Sequence, residues 1–213
     1  MVLMKGVLMK SKRQGNRSGG FNVCVSLMIV LALLCITSSL QAADEGPLSV
    51  KGTKQLGINI GYGYSFSSSR DIRFADVYPF FGYVFTDPVG NGWYRGTGEC
   101  IIEGTFSYIS KNQKRYMAGI NLAGRYNLLS KHEKWRPYVQ AGLGFVGTNL
   151  SSNSFGSDFN FMPNLASGIQ YFWDPCNAVS FEWRYVHISN GGISDNNQGL
   201  NVNTLLLGYS HTF

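Results

Sequence analysis

Eight times between residues 54 and 213, large apolar side chains fall on every second position of a run of about 12–16 residues, and the run then ends in a polar break. The runs cover residues 54–66, 72–85, 94–109, 115–128, 135–148, 159–173, 179–189 and 199–213. In the first, Leu56, Ile58, Ile60, Tyr62 and Tyr64 alternate with Gly57, Asn59, Gly61, Gly63 and Ser65. Successive side chains of a strand point to opposite faces, so each run predicts a strand with one apolar and one polar, Gly-rich face. Helical periodicity is absent from these runs.

Two-faced strands in even number suit a small closed antiparallel barrel. A secreted sandwich or a lipocalin-like barrel would turn the apolar faces inward. Here the opposite faces carry Arg125, Glu182 and Arg184 in mid-strand. Charges there suit the polar interior of a transmembrane barrel. The fold expected is therefore all-β: an eight-stranded antiparallel transmembrane β-barrel. The Gly-rich stretches 57–63 and 142–147 are followed by no helix, so they are not phosphate loops. They are expected to relieve crowding inside a narrow barrel.

The formal net charge of +6 depends on the first residues. Lys5, Lys10, Lys12, Arg13 and Arg17 precede an apolar stretch, 21–36, and a small-residue exit, Thr37 to Ala43. That order predicts a secretory signal peptide, residues 1–42, cleaved after Ala42 or Ala43, leaving one barrel domain over 43–213. The apolar stretch is short for a membrane helix. A lipoprotein signal at Cys35 is disfavoured by the large Leu34 before it. Without the leader, 13 basic residues face 12 acidic ones. A near-neutral chain lacks the basic stripe of a nucleic-acid binder. Cys24 and Cys35 leave with the leader, while Cys100 and Cys176 enter an oxidising compartment either paired or free. His132, His187 and His211 have no metal-ligand spacing, so no metal site is expected.

The seventh run ends in Tyr185-Val186-His187-Ile188-Ser189-Asn190-Gly191-Gly192. Parity puts Phe181, Trp183, Tyr185, His187 and Ser189 on one face. With both termini at the periplasmic end, odd strands run outward, and that face meets lipid near the outer leaflet. A His and a Ser are costly there unless they serve something. Together they suit nucleophilic chemistry, in which His takes the weak Ser nucleophile's proton. The bland alternative is a pair of polar residues at the headgroup boundary.

His187-Ile188-Ser189-Asn190-Gly191-Gly192-Ile193, followed by Asn197-Gln198-Gly199 and a last strand ending in Phe213, resembles the lipid A 3-O-deacylase family. The likeness is sharpest over 181–213 and weaker over the rest of the barrel, including Trp135-Arg136-Pro137-Tyr138-Val139. The terminal Phe213, after alternating apolar residues, also resembles the C-terminal signature of bacterial outer-membrane proteins. The family resemblance implies a bacterial outer-membrane enzyme whose substrate is lipid A of lipopolysaccharide. The enzyme would cleave the ester-linked 3-hydroxyacyl chain at position 3, without metal or cofactor, as a monomer or homodimer. It makes Ser189 the nucleophile, His187 the general base, and Asn190, Gly192 and Asn197 the oxyanion-hole candidates.

One position departs from the family. The third triad member, a Glu twelve residues after the Ser, is here Asn201. An Asn oxygen accepts a hydrogen bond from the His ring and fixes its tautomer, but does not neutralise an imidazolium. Glu182 is expected on the lumen face and is excluded. Asp195, in the loop, is a possible substitute. Lost chemistry is the other consequence, giving a non-catalytic structural or adhesion barrel as the alternative function.

Overall fold

The computed structural model describes residues 46–65, 72–110, 114–129, 134–149, 157–195, 197 and 199–213. The expected leader, 1–42, lies outside the described residues, as do the polar tips at 67–71, 111–113 and 130–133. The strands are β1 (Lys54–Ser65), β2 (Arg73–Val84), β3 (Gly96–Ser110), β4 (Lys114–Leu128), β5 (Trp135–Thr148), β6 (Phe159–Phe172), β7 (Asn177–Ile188) and β8 (Leu200–Thr212). A single 3-10 turn, Gly92–Tyr94, lies between β2 and β3.

Every strand pairs antiparallel with its sequence neighbour, and β8 returns to β1, so the sheet closes in the order β1 to β8. The closure is knit at the chain's end, where Lys54 N–H donates to Phe213 O at 2.8 Å and Phe213 N–H to Lys54 O at 2.9 Å. Closure leaves no unpaired edge, which a strand must achieve to sit in hydrocarbon. The wall outside is apolar: Ile58, Leu122, Leu165, Phe181, Leu205 and Leu207 are all exposed, Leu207 at 63%. A sandwich or lipocalin-like barrel would bury these residues, and so much exposed apolar surface in one band marks a wall meant for lipid.

The interior is filled rather than open. Arg184 forms a two-pronged pair with Glu103 and donates through Nε to Glu182 Oε1 at 2.7 Å. Tyr138 OH donates to Glu182 Oε2 at 2.7 Å. Arg125 donates through Nε to Gln140 Oε1 at 3.0 Å and lies over the Tyr138 ring, 4.2 Å from its centroid. Glycines inside make room for this packing: a Cβ on Gly57 would meet the Phe80 ring at 2.5 Å, and one on Gly142 would meet Asn121 Oδ1 at 2.9 Å.

The expected polar interior is thus found, densest at mid-height and continuing to the termini end with buried Gln55, Arg136 and Gln170. At the end away from the termini, Phe74, Ile109, Met117, Val146, Met162, Val186, Ile188 and Val202 form an inward apolar plug. The other end is closed by Leu48, Val84, Phe172 and Ala178. Leu48 reaches that place because residues before β1 fold back into the barrel mouth. Thr97 Oγ1 donates to Leu48 O at 2.7 Å and Arg136 Nε to Pro47 O at 2.9 Å. Cys100, on the outer wall, and Cys176, in the β6–β7 turn, are both free thiols.

Candidate active site

The face of β7 alternates as its sequence requires. Ala178, Glu182, Arg184, Val186 and Ile188 are buried inside, while Val179, Phe181 and Trp183 are exposed outside, with Tyr185, His187 and Ser189 half-buried on that outer face. Ser189 continues the strand one step beyond β7. Its N–H donates to Phe161 O at 3.0 Å, and its carbonyl accepts from Phe161 N–H at 2.8 Å. This bridge keeps the Ser189 side chain in register with His187. Among the described residues, no hydrogen bond joins the Ser189 hydroxyl to the His187 ring.

His187 and Asn201 are cross-strand partners on β7 and β8. Their side chains meet: His187 Nδ1 lies 2.6 Å from Asn201 Oδ1. An amide oxygen only accepts, so the ring carries its proton on Nδ1 and presents the Nε2 lone pair outward. Tyr185, two residues before His187, donates its hydroxyl to the same Asn201 oxygen at 3.0 Å. Sequence reasoning placed Tyr185 on this face but gave it no role. The contact depends on register, which the run of residues does not reveal.

Gly199 was also without a role beyond its place in the motif. It has φ +61°, and a Cβ there would stand 3.0 Å from His187 Cε1. The position therefore needs Gly twice: for its left-handed backbone and for the space that the imidazole edge occupies.

The loop that follows is built around Asn190, which is fully buried. Its N–H donates to Asn197 Oδ1 at 3.1 Å, its Nδ2 to Ser194 O at 3.2 Å, and its Oδ1 accepts from Gly192 N–H at 2.8 Å. Ile193 N–H donates to its carbonyl at 3.2 Å. Asn190, Gly192 and Asn197 are thus brought together, and their polar groups bind one another. Gly191, at φ +63°, lets the loop cross the Phe161 ring, where a Cβ would approach to 2.8 Å. Phe161 in turn meets Phe145 and Phe159, with ring centroids 5.8 and 5.5 Å apart. An aromatic surface therefore adjoins Ser189 on its β6 side.

The two acids weighed as substitutes for the third triad member stand apart from the ring. Glu182 is inside, bonded to Arg184 and Tyr138. Asp195 is exposed in the loop, where its carbonyl accepts from Asn197 N–H at 3.2 Å, and among the described residues it makes no bond to His187. A cleft of about 360 Å³ lies elsewhere on the wall, lined by Tyr116, Ala118, Gly147, Thr148, Asn149 and Asp158.

The same hairpin holds a second copy of the Tyr, Asn and His arrangement at its other end. His211 on β8 and Asn177 on β7 are cross-strand partners. His211 Nδ1 lies 3.0 Å from Asn177 Oδ1, and Tyr209 OH donates to that oxygen at 2.8 Å. Here Asn177 Nδ2 also donates to both oxygens of Asp174, at 3.0 and 2.9 Å. Asp174 lies in the turn outside the strands, and the Asn177 amide above all holds its carboxyl below the usual range. The position matching Ser189, two residues after the His, is Phe213.

The family model for lipid A 3-O-deacylase (PagL) matches residues 80–210. A lipid A deacylase PagL of Pseudomonas aeruginosa is 31% identical over 68 residues, covering 30% of this chain and 37% of that protein. The Bordetella bronchiseptica protein of the same name is 34% identical over 81 residues, covering 37% of this chain and 42% of that one. The matched part thus spans about two-fifths of these relatives. The crystal structure of the outer membrane enzyme PagL superposes with a TM-score of 0.52 at 16% identity, covering 73% of this chain and 97% of that one. At that identity the superposition speaks for the barrel fold.

Proposed function

Since this chain belongs to the lipid A 3-O-deacylase family and is an outer-membrane β-barrel, we propose that it is an esterase of the outer leaflet. It would remove the ester-linked 3-hydroxyacyl chain at position 3 of lipid A, with Ser189 as nucleophile, His187 as base and Asn201 as the group that holds the base. The observation that carries this reading is the 2.6 Å contact between His187 Nδ1 and Asn201 Oδ1, on the outer wall at the end away from the termini. A leader over 1–42, cleaved after Ala42 or Ala43, would deliver the barrel. All the site residues come from one chain, so a monomer suffices.

The proposed steps start from the contact between His187 and Asn201. With Nδ1–H held by Asn201, His187 Nε2 accepts the Ser189 hydroxyl proton as Oγ attacks the ester carbonyl. Charge gathers on the former carbonyl oxygen. On this reading Asn190 Nδ2, Gly192 N–H and Asn197 Nδ2 would donate to it. In the unliganded loop the first two already serve Ser194 O and Asn190 Oδ1, so an oxyanion would share or replace those bonds. Collapse expels the sugar oxygen, which takes the proton from the imidazolium. Water, deprotonated by His187, then releases the fatty acid from Ser189. Asn201 orients the ring but adds no charge opposite the imidazolium, so turnover is expected to be slower than with a carboxylate there.

Mass spectrometry of lipid A from cells with and without the protein tests the reaction. Loss of one 3-hydroxyacyl chain from position 3 is expected, and an intact chain in both samples would remove the deacylase reading. Gly199→Ala is expected to lower that activity severalfold, because its Cβ, 3.0 Å from His187 Cε1, crowds the imidazole edge and reacting groups are sensitive to their placement. Folded yield is expected to fall somewhat, since a Cβ in the left-handed region costs about 1–2 kcal/mol, so activity is compared per folded barrel. Unchanged deacylation in Gly199→Ala would show that the ring does not work from its observed position.

A second reading has one observation in its favour. The Tyr209, Asn177 and His211 copy, with Phe213 in the serine's place, shows that this arrangement also occurs where no nucleophile follows. On that reading both copies merely pin β7 to β8 in a structural or adhesion barrel. It predicts normal lipid A in both samples.

A further inference from the structure

We infer that Tyr185 is a positioning residue, which keeps the Asn201 amide oxygen turned towards His187 and so takes over part of the work a carboxylate would do; this rests on the hydrolytic reading above. A carboxylate in the third place has two equivalent oxygens and cannot present a wrong atom. An amide can. With the oxygen towards the ring, His187 holds its proton on Nδ1 and Nε2 is a base. With the NH₂ towards the ring, Nδ1 must be the acceptor, Nε2 carries the proton, and the base is lost. A chain with Asn in this place therefore needs something that tells the two ends of the amide apart.

The Tyr185 hydroxyl is one group that does so. It reaches the same Asn201 oxygen as the ring does, at 3.0 Å, from two residues earlier on the same face. A phenol is a better donor than acceptor, so this contact favours the amide oxygen over the NH₂ at this place. Turning the amide over would replace that acceptor by a donor. The arrangement at the hairpin's other end gives an internal control for the orientation. There the Asp174 carboxylate accepts both short contacts from Asn177 Nδ2, which leaves Asn177 Oδ1 as the atom facing Tyr209 OH and His211 Nδ1. A Tyr and a His two residues apart, converging on one amide oxygen, is thus seen where a third partner fixes the oxygen's identity. At Asn201 the Tyr and His contacts have the same form.

Two measurements test this. In the first, deacylation is followed for the parent, Tyr185→Phe, Asn201→Glu and the double variant. Tyr185→Phe is expected to lower kcat about fivefold with KM changed by less than about twofold, the scale of one neutral hydrogen bond. Adding Asn201→Glu should restore kcat to at least the parent's level, because a carboxylate needs no orienting. An equal loss from Tyr185→Phe in both backgrounds would overturn the proposal in favour of a general packing role. The second is ¹⁵N NMR of the His187 ring in detergent micelles, which needs no turnover. The parent should show the Nδ1–H tautomer, and Tyr185→Phe a mixture with Nε2–H. A ring unchanged by the substitution would overturn the proposal. If the parent shows the Nδ1–H tautomer, Tyr185→Phe shifts it, and yet neither deacylates lipid A, the positioning role stands and the esterase reading falls.

Discussion

Ser189→Ala, produced in the outer membrane at the parent's level, is expected to leave the 3-position acyl chain of lipid A in place. The hydroxyl is the only atom group removed, and the backbone bridge from Ser189 to Phe161 does not involve the side chain. The wall should therefore fold unchanged. Removing the nucleophile of a serine hydrolase leaves only the catalysis supplied by binding and by oxyanion donors, so the rate should fall by about 10⁴-fold or more. Quantitative mass spectrometry of extracted lipid A reads this directly. Heat-modified mobility of the folded barrel on gels confirms that the two proteins are equally folded. A variant as active as its parent would take the nucleophile away from Ser189 even if lipid A is processed.

Arg184→Leu is the substitution expected to damage the barrel most. Arg184 is fully buried at mid-height, paired with Glu103 and Glu182 and lying 4.7 Å over the Tyr78 ring. Removing one partner of a buried ion pair leaves the others charged without compensation, at about 3–5 kcal/mol. Glu103 and Glu182 both lose their guanidinium but keep Asn121 Nδ2 and Tyr138 OH respectively, so a loss within that range is expected. Urea titration of the refolded barrel in detergent should show the lower stability. The triple replacement of Arg184, Glu103 and Glu182 by apolar residues of like size should recover much of it, since a well-packed apolar interior is often neutral or better. Equal stability of Arg184→Leu and the parent would mean that the lumen charges are solvated.

The strands were legible because hydrocarbon outside and a crowded lumen inside impose a strict period of two. Residues 135–148 and Trp135–Thr148 agree to the residue, and the other runs differ from their strands by no more than two positions at either end. The face of β7 followed from the same alternation. What the alternation did not reveal depends on neighbours across the sheet. His187 opposite Asn201 is a matter of register between β7 and β8, which the turn and the loop decide together. The link from Tyr185 to Asn201 is hidden for the same reason. The apolar plugs at both lumen ends were missed because inward Val186, Ile188 and Val202 read as exceptions to a polar face, until eight strands bring such residues to one level. Leu48 was missed because nothing local predicts that a residue before the first strand, at φ +63°, turns back to close the barrel mouth. The internal bonding of Asn190 also escaped sequence reasoning, which saw a donor for an oxyanion and not a buried hub for its own loop.

Covalent labelling tests the central claim most directly. The purified barrel in detergent, treated with a fluorophosphonate and digested, should carry the adduct on Ser189. His187→Ala, which removes the base without touching the hydroxyl, should suppress labelling strongly. An unlabelled parent, or an adduct on another residue with Ser189 unmodified, would contradict the account of an activated serine on the lipid-facing wall.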